Sequence, residues 1–151
     1  MIESWIIPCN IRVYDVSEHF LHKDTIVWRN AFTIKKGDIA FLYVGQPYSE
    51  IRYKCSVLSD DVSEEILSNN SYAIPKRTYK NYFSKKDKYI ILQLEKEYPK
   101  GTFPLVELRE QGLGQVQLQS RLSRQLKKYI ASVEKAVFHE ETRWQGGDVD
   151  A

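Results

Sequence analysis

The sequence predicts a mixed α+β domain: a curved, mainly antiparallel sheet or partly open barrel, with helices covering its ends. Three observations lead there. Ile39 to Val44 is an unbroken apolar run of six residues, with turn signals at Gly37-Asp38 before it and Gly45-Gln-Pro47 after it. Its shortness, its flanking turns, and Phe41 and Tyr43 within it favour a strand buried on both faces at the centre of the domain. Ile51 to Val57 and Lys88 to Glu97 alternate apolar with polar residues, the mark of half-buried strands. Leu122, Leu126, Tyr129, Ile130, Val133 and Val137 recur at helical spacing and give one apolar stripe.

The bulk properties agree with a single folded unit. At 151 residues, with 42% hydrophobic and 28% charged residues, the chain is long enough to bury a core and too apolar for disorder. A net charge of +2 announces no global basic excess, so any affinity for nucleic acid must come from local patches. Aromatic content is high, with ten tyrosines and three tryptophans, enough to supply a stacking site as well as the core. Cys9 and Cys55 have no paired-motif spacing and fit small buried side chains in a reducing compartment. The N-terminus lacks a basic and then apolar leader pattern, and no segment approaches the ~18 apolar residues of a membrane span. No membrane partner and a cytoplasmic location are the expectation.

In chain order, Trp5-Ile-Ile-Pro8 is a short strand stopped by Pro8, with Cys9-Asn10 as a loop. Asp15-Val-Ser-Glu18 is a capping box that starts a short helix running to about His22, with Phe20 and Leu21 facing inward. Thr25 to Trp28 is a brief strand or an extended approach to Trp28. After the central strand, Gln46 to Glu50 turns the chain into a hairpin. In the next strand Ile51, Tyr53, Cys55 and Val57 share one face, and Arg52, Lys54 and Ser56 the other. Residues 60–70 form an acidic and then Asn/Ser-rich loop, and 74–84 has no clear periodicity. Ile90, Leu92 and Leu94 mark a third long strand, closed by Pro99-Lys-Gly101. Phe103 to Arg109 is a short helix with Pro104 in its first turn, ending near Gly112. Gly112 to Gly114 is a flexible loop, and Ser120 caps the long helix that follows. Residues 1–140 form the domain and 141–151 a polar tail or linker.

Motifs of catalysis are missing. His19 and His22 form one weak pair, short of a structural metal site, so no metal and no cofactor is expected. Asp60, Asp61, Glu64 and Glu65 read as a solvated acidic loop, and Glu95-Lys-Glu97 is only a faint echo of nuclease carboxylates. Gly112-Leu-Gly114 lacks the third glycine and the preceding strand of a dinucleotide fingerprint. No enzymatic function is expected. The basic stretches say more: Lys76, Arg77, Lys80, Lys85, Lys86 and Lys88 stand against one acid, interleaved with Tyr79, Tyr82, Phe83 and Tyr89. Arg121, Arg124, Lys127 and Lys128 add cations near the start of the long helix. Cations contact phosphates through counterion release while aromatics between them stack on bases. The plain alternative is a solvated loop and a solvated helix face.

Trp5-Ile-Ile-Pro-Cys-Asn10, Val27-Trp-Arg-Asn30 and Ile34-Lys-Lys-Gly-Asp-Ile-Ala-Phe-Leu-Tyr-Val-Gly45, in that order and spacing, resemble the EVE domain. That family has a PUA-like fold and is related to the YTH readers of methylated adenine. The resemblance covers roughly residues 4–58, and residues 105–130, with Gln119-Ser-Arg-Leu122, look like the C-terminal part of versions from modification-dependent restriction systems. It implies a reader of a modified base, such as methylated or hydroxymethylated cytosine or methylated adenine, flipped from DNA into an aromatic cage. Carried over, Trp28 is the first cage aromatic, followed by Arg29. Pro8, Cys9 and Asn10 line the base edge, and Tyr43, Val44 and Gly45 frame the pocket. Tyr48, Tyr72, Tyr79 and Tyr82 are candidates for the second aromatic, with Tyr48 placed in the pocket. Lys76, Arg77, Lys80, Lys85, Lys86, Gln119, Ser120, Arg121 and Arg124 would meet the nucleic-acid backbone. Modified double-stranded DNA is the expected partner, with a fused or neighbouring nuclease or GTPase in a defence setting. RNA binding, and a non-binding interaction protein, are the alternatives.

Overall fold

Ile39–Val44 forms strand β3 and is paired on both sides, parallel to β1 (Ser4–Cys9) and antiparallel to β4 (Glu50–Ser59). The computed structural model describes residues 2–30, 32–62 and 88–150, the segment 138–150 through its backbone alone. Among these residues one mixed six-stranded sheet forms, in the order β2-β5-β4-β3-β1-β6, where β2 is Thr25–Arg29, β5 Tyr89–Glu97 and β6 Ser120–Arg121. Every ladder but β1 with β3 is antiparallel. The helices are α1 (Val16–His22), α2 (Leu105–Glu110) and α3 (Arg124–Asp150). None of the described helices is long and apolar enough to cross a membrane.

Period-two alternation sends side chains to two cores. On one side, Trp5, Ile7 and Cys9 of β1 pack with Ala40, Leu42 and Val44 of β3, with Ile26 of β2, and with Val16 of α1. This cluster draws on β2 at one edge and β1 near the other, so the sheet curls around it. On the opposite side Ile6, Phe41 and Tyr43 pack against Leu108 of α2 and Leu126 and Ile130 of α3. Strand β3 is thereby buried on both faces. The curl stops short of a closed barrel: β2 and β6 share no ladder, and their ends meet through side chains. Gln119 Nε2 donates to the Arg29 carbonyl at 2.7 Å.

Several expectations are corrected. Pro8 does not stop β1, which continues to Cys9. The Glu3 and Cys9 carbonyls accept from the β3 side, whereas the Ser4 carbonyl accepts from Leu122 on the β6 side. By alternation the Pro8 nitrogen faces β6, whose ladder ends at Ser120 opposite Ile6, so its missing N–H breaks no pair. In α1 the Asp15 carboxylate accepts from the Ser17 and Glu18 N–H groups, as the capping pattern predicts. Leu21, however, is 76% exposed and His19 is the residue turned inward with Val16 and Phe20, following the i, i+3, i+4 stripe.

Strand β4 does not keep one face throughout. Leu42 pairs with Tyr53 but Tyr43 with Ile51, a bulge that leaves Arg52 unopposed. Across it, Tyr53, Cys55 and Val57 stay in the first core while Ile51 joins the second. Helix α2 ends in a Schellman motif: Leu113 N–H donates to the Leu108 carbonyl and Gly112 N–H to that of Arg109, with Gly112 at φ +98°. Leu108 and Leu113 then meet in the second core, so the residue 112–114 loop is anchored by Leu113. Ser120 is a strand residue. Ser123 caps α3 in its place, its hydroxyl accepting from Leu126 N–H at 3.1 Å. The α3 backbone is helical to Asp150, through the stretch read as a polar tail.

Candidate nucleotide-binding cleft

Because β1 and β3 are parallel, both end at the same rim, and the Gly45 N–H donates to the Cys9 carbonyl at 3.1 Å where they do. The chain after β1 is folded back by Asn10: its carbonyl accepts from Val13 and Tyr14 N–H, and its Oδ1 accepts from Arg12 N–H at 3.0 Å. The chain after β3 turns about the Gly45 carbonyl, which accepts from Tyr48 and Ser49 N–H. Ser49 then passes its carbonyl to the Leu105 N–H, which fixes α2 against the same rim.

Between these pieces lies an open cleft of about 530 Å³. Pro8, Cys9 and Asn10 form one wall, and Tyr43, Gly45 and Gln46 the floor and second wall. Leu105 and Arg109 of α2, with Val116 and Gln117, close the third side. Gln115 holds that third side in place, its Oε1 accepting from Gln117 and Leu118 N–H at 2.7 and 2.8 Å. Arg12 and Arg109 are the charged residues of the lining, and no carboxylate is among the lining residues. The arginines and the amide-bearing Asn10, Gln46 and Gln117 share the lining with apolar Pro8, Leu105 and Val116. Such a site suits an anionic, partly aromatic ligand. Its cysteine does not add chemistry: burial first, and Cys55 second, push the Cys9 thiol far above its ordinary range. Cys55 is itself pushed up to about 12, chiefly by burial. Both stay protonated and inert as nucleophiles.

Of the residues read from the sequence, Pro8, Cys9, Asn10, Tyr43 and Gly45 converge here. Trp28 does not. It lies on β2 and packs half-buried against the first core, whereas Tyr43 faces the second, so the sheet separates the two rings. Val44 points into the first core as well. Arg29 is exposed at the end of β2 and contributes its carbonyl to Gln119. Tyr48 stands beside the cleft, with the Arg52 guanidinium 5.4 Å and Lys100 Nζ 5.9 Å from its ring centre. Arg121 lies with its guanidinium 5.1 Å from the Trp5 ring centre, and Arg124 is exposed at the start of α3. Lys76, Arg77, Lys80, Lys85 and Lys86, with Tyr72, Tyr79, Tyr82 and Phe83, lie outside the described residues.

The sequence reading missed Arg12, Arg109 and Gln117, which no local pattern singles out. Nor do the histidines form a pair: His19 Nε2–H donates to the Thr25 carbonyl at 2.6 Å and Nδ1 accepts from Tyr14 Oη at 2.5 Å. His22 turns outward to Glu18 at 3.0 Å.

No family model matches the chain, and no curated protein matches it. Solved structures do. A mutant ASCH protein from Zymomonas mobilis is 15% identical with a TM-score of 0.65, over 87% of this chain and 96% of that one. The ASCH protein from the same organism gives 14% identity and 0.63, over 86% and 94%. A hypothetical protein from Leishmania major gives 13% and 0.58, over 90% and 96%. At these identities the likeness is one of fold, and the fold of this chain is PUA-like, an open mixed sheet with flanking helices as in the ASCH structures.

Proposed function

We propose that the protein is a non-catalytic nucleic-acid-binding module that holds one nucleotide in the cleft at the carboxyl ends of β1 and β3. The observation that carries this reading is the lining itself: Arg12 and Arg109 together with side-chain amides and no carboxylate. Guanidinium groups hold phosphate oxygens in their fork geometry, and amides hold base edges. The finer form follows the EVE-type resemblance of residues 4–58: a modified base in duplex DNA, flipped out so that its edge meets Asn10. Trp28 is not available to sandwich a base against Tyr43, so the hold in this cleft comes from donors, Pro8 and the rim of Tyr43. A cytoplasmic module serving a fused or neighbouring nuclease or GTPase is the setting this form implies.

A second reading, a single strand of RNA or DNA, is favoured by the exposed Phe32 ring and by Arg121, both packed on Trp5 of β1. Fluorescence anisotropy with single-stranded RNA, single-stranded DNA, plain duplex, and duplexes carrying methylated or hydroxymethylated cytosine or methylated adenine separates the forms. Arg109→Ala is expected to weaken binding and to lower the salt slope by about 0.7 if one phosphate contact on a single strand is lost, and by about 0.9 on a duplex. Wild-type protein that binds none of these, or Arg109→Ala and Arg12→Ala proteins that bind as wild type does, overturns the proposal.

A further inference from the structure

The two edges of the curled sheet meet at a seam, and a second aromatic and cationic feature is built there. Phe32 lies over Trp5 with ring centres 6.3 Å apart and planes 16° apart. The Arg121 guanidinium is 5.1 Å from the Trp5 ring centre, and its Nη2 is 3.4 Å from Thr33 Oγ1. Trp5 itself is buried, but Phe32 is 49% exposed. That exposure is arranged by the backbone around it. Asn30 Oδ1 accepts from the Phe32 and Ile34 N–H groups, both at 3.3 Å, and Asn30 Nδ2 donates to the Ile34 carbonyl at 2.9 Å. A single side chain therefore holds the backbone that carries the exposed ring, and Gln119 clamps the neighbouring Arg29 carbonyl. Arg29, Lys35, Lys36 and Arg124 are exposed on the same elements. Glu3, Asp38 and Asp60 are the nearby acids; the Asp38 carboxylate is occupied by Trp5, Glu3 and Lys35 N–H groups, and that of Asp60 accepts from Lys36 N–H at 2.9 Å.

One segment joins this feature to the cleft. Gln117 lines the cleft, and Arg121 reaches Trp5 at the seam. Three residues lie between them, a span of at most about 13 Å in extended form. The chain between them passes the exposed Leu118 and buried Gln119 and enters β6, the edge strand of the sheet, at Ser120. We infer that the ligand is a single strand of nucleic acid that follows this edge, with one nucleotide in the cleft and a later base stacked on the outer face of Phe32. Arg121 holds the strand's phosphate beside that base. This inference rests on the single-strand form of the nucleic-acid reading, stands against its duplex form, and extends it, since Phe32 and Arg121 lie outside the cleft. A flat exposed ring fixed in place beside cations accepts any base, which makes the step tolerant of sequence. A rigid duplex cannot place a base face on Phe32 without unstacking it, so the feature selects for unpaired strand.

The test compares a mononucleotide, a single strand of about eight nucleotides and the corresponding duplex by anisotropy and by tryptophan fluorescence. Variants are Phe32→Leu, which keeps an apolar cover on Trp5, Phe32→Trp, which keeps a stacking face, and Arg121→Gln. The wild-type protein is expected to hold the longer single strand more tightly than the mononucleotide. Phe32→Leu should weaken the longer strand about tenfold and leave the mononucleotide unchanged, Phe32→Trp should restore it, and Arg121→Gln should flatten its salt dependence. Equal affinity of wild type and Phe32→Leu for the longer strand, with Arg109→Ala still weakening it, overturns the track and leaves the cleft reading standing. Preference for the duplex overturns the track as well, and absence of any binding overturns both.

Discussion

Asp38 is the position where one substitution tests how β1 is tied to the turn before β3. Its carboxylate accepts the Trp5 indole N–H at 2.9 Å, the Glu3 N–H at 3.1 Å and the Lys35 N–H at 3.0 Å. Asp38→Ala strands the indole N–H of a buried tryptophan, which costs about 1–3 kcal/mol. The two backbone donors are reachable by water and add about 0.5–1 kcal/mol each. A loss of about 2–5 kcal/mol follows, from a total of about 5–15 for a domain of this kind. Asp38→Asn keeps one acceptor and should lose roughly half as much. The same contacts predict a pH signature. Burial raises the carboxyl's pKa, but the N–H groups of Lys35, Trp5 and Glu3 and the charge of Lys35 outweigh it, leaving Asp38 below its ordinary 3.8. A group depressed in the folded state stabilises above its unfolded value and loses that contribution as pH falls through its folded one. The gap between wild type and Asp38→Asn should therefore be full near neutrality and close as the solution is taken below about pH 4. Urea denaturation followed by tryptophan fluorescence and far-ultraviolet dichroism measures both. A gap under about 1 kcal/mol at neutral pH for Asp38→Ala, or one that stays constant into acid, would refute the reasoning.

Gly112→Ala places a Cβ at φ +98° and 3.1 Å from Gln125 Oε1, so urea titration should show a loss of about 1–2 kcal/mol, whereas Gly114→Ala should be nearly silent. In alkali, Tyr129 is raised to about 12, by burial first and then by its hydrogen bond to Glu107 and that residue's charge. Tyr98 is raised further, by burial and then by Glu134. Raised groups stabilise fully below the unfolded value of 10.0 and lose that contribution as pH climbs through the folded one. Melting temperature should thus fall between about pH 10 and 12, less so in Tyr129→Phe. Gln119→Leu removes the amide that bridges β6 to the end of β2, and amide exchange at the β2 edge should rise with a loss of about 1 kcal/mol.

The strands were legible because their burial is local and periodic. Ile39–Val44 reads as buried on both faces since two cores do contact it, and the hairpin into β4 follows from the turn residues between. What was not legible depends on partners. Pro8 looks like a strand terminator until its nitrogen is known to face a part of the edge that β6 does not reach. Ile51 and Tyr53 look like one face until the bulge at Arg52 separates them. Ser120 and Ser123 are equally good caps by residue type, and only the pairing of Ser120 with Ile6 assigns the role to Ser123.

The cleft was half legible for a related reason. A resemblance read along the chain brings Trp28 and Tyr43 together in order, but parity decides which face each ring takes, and they take opposite ones. Asn10 and Gly45 meet because β1 and β3 are parallel, and an all-antiparallel sheet would have put their ends at opposite rims. The parallel pair needs a long crossover, and residues 10–38, with α1 and β2 inside them, supply it. That span was visible in the sequence, yet it reads equally well as separate elements until β2 is found against β5 at the far edge of the sheet. Arg109 then enters from α2, placed by the Leu105 N–H on the Ser49 carbonyl. A cleft assembled from a crossover loop, a hairpin turn and a later helix has no contiguous motif, so its cations become recognisable only once the rim that gathers them is known.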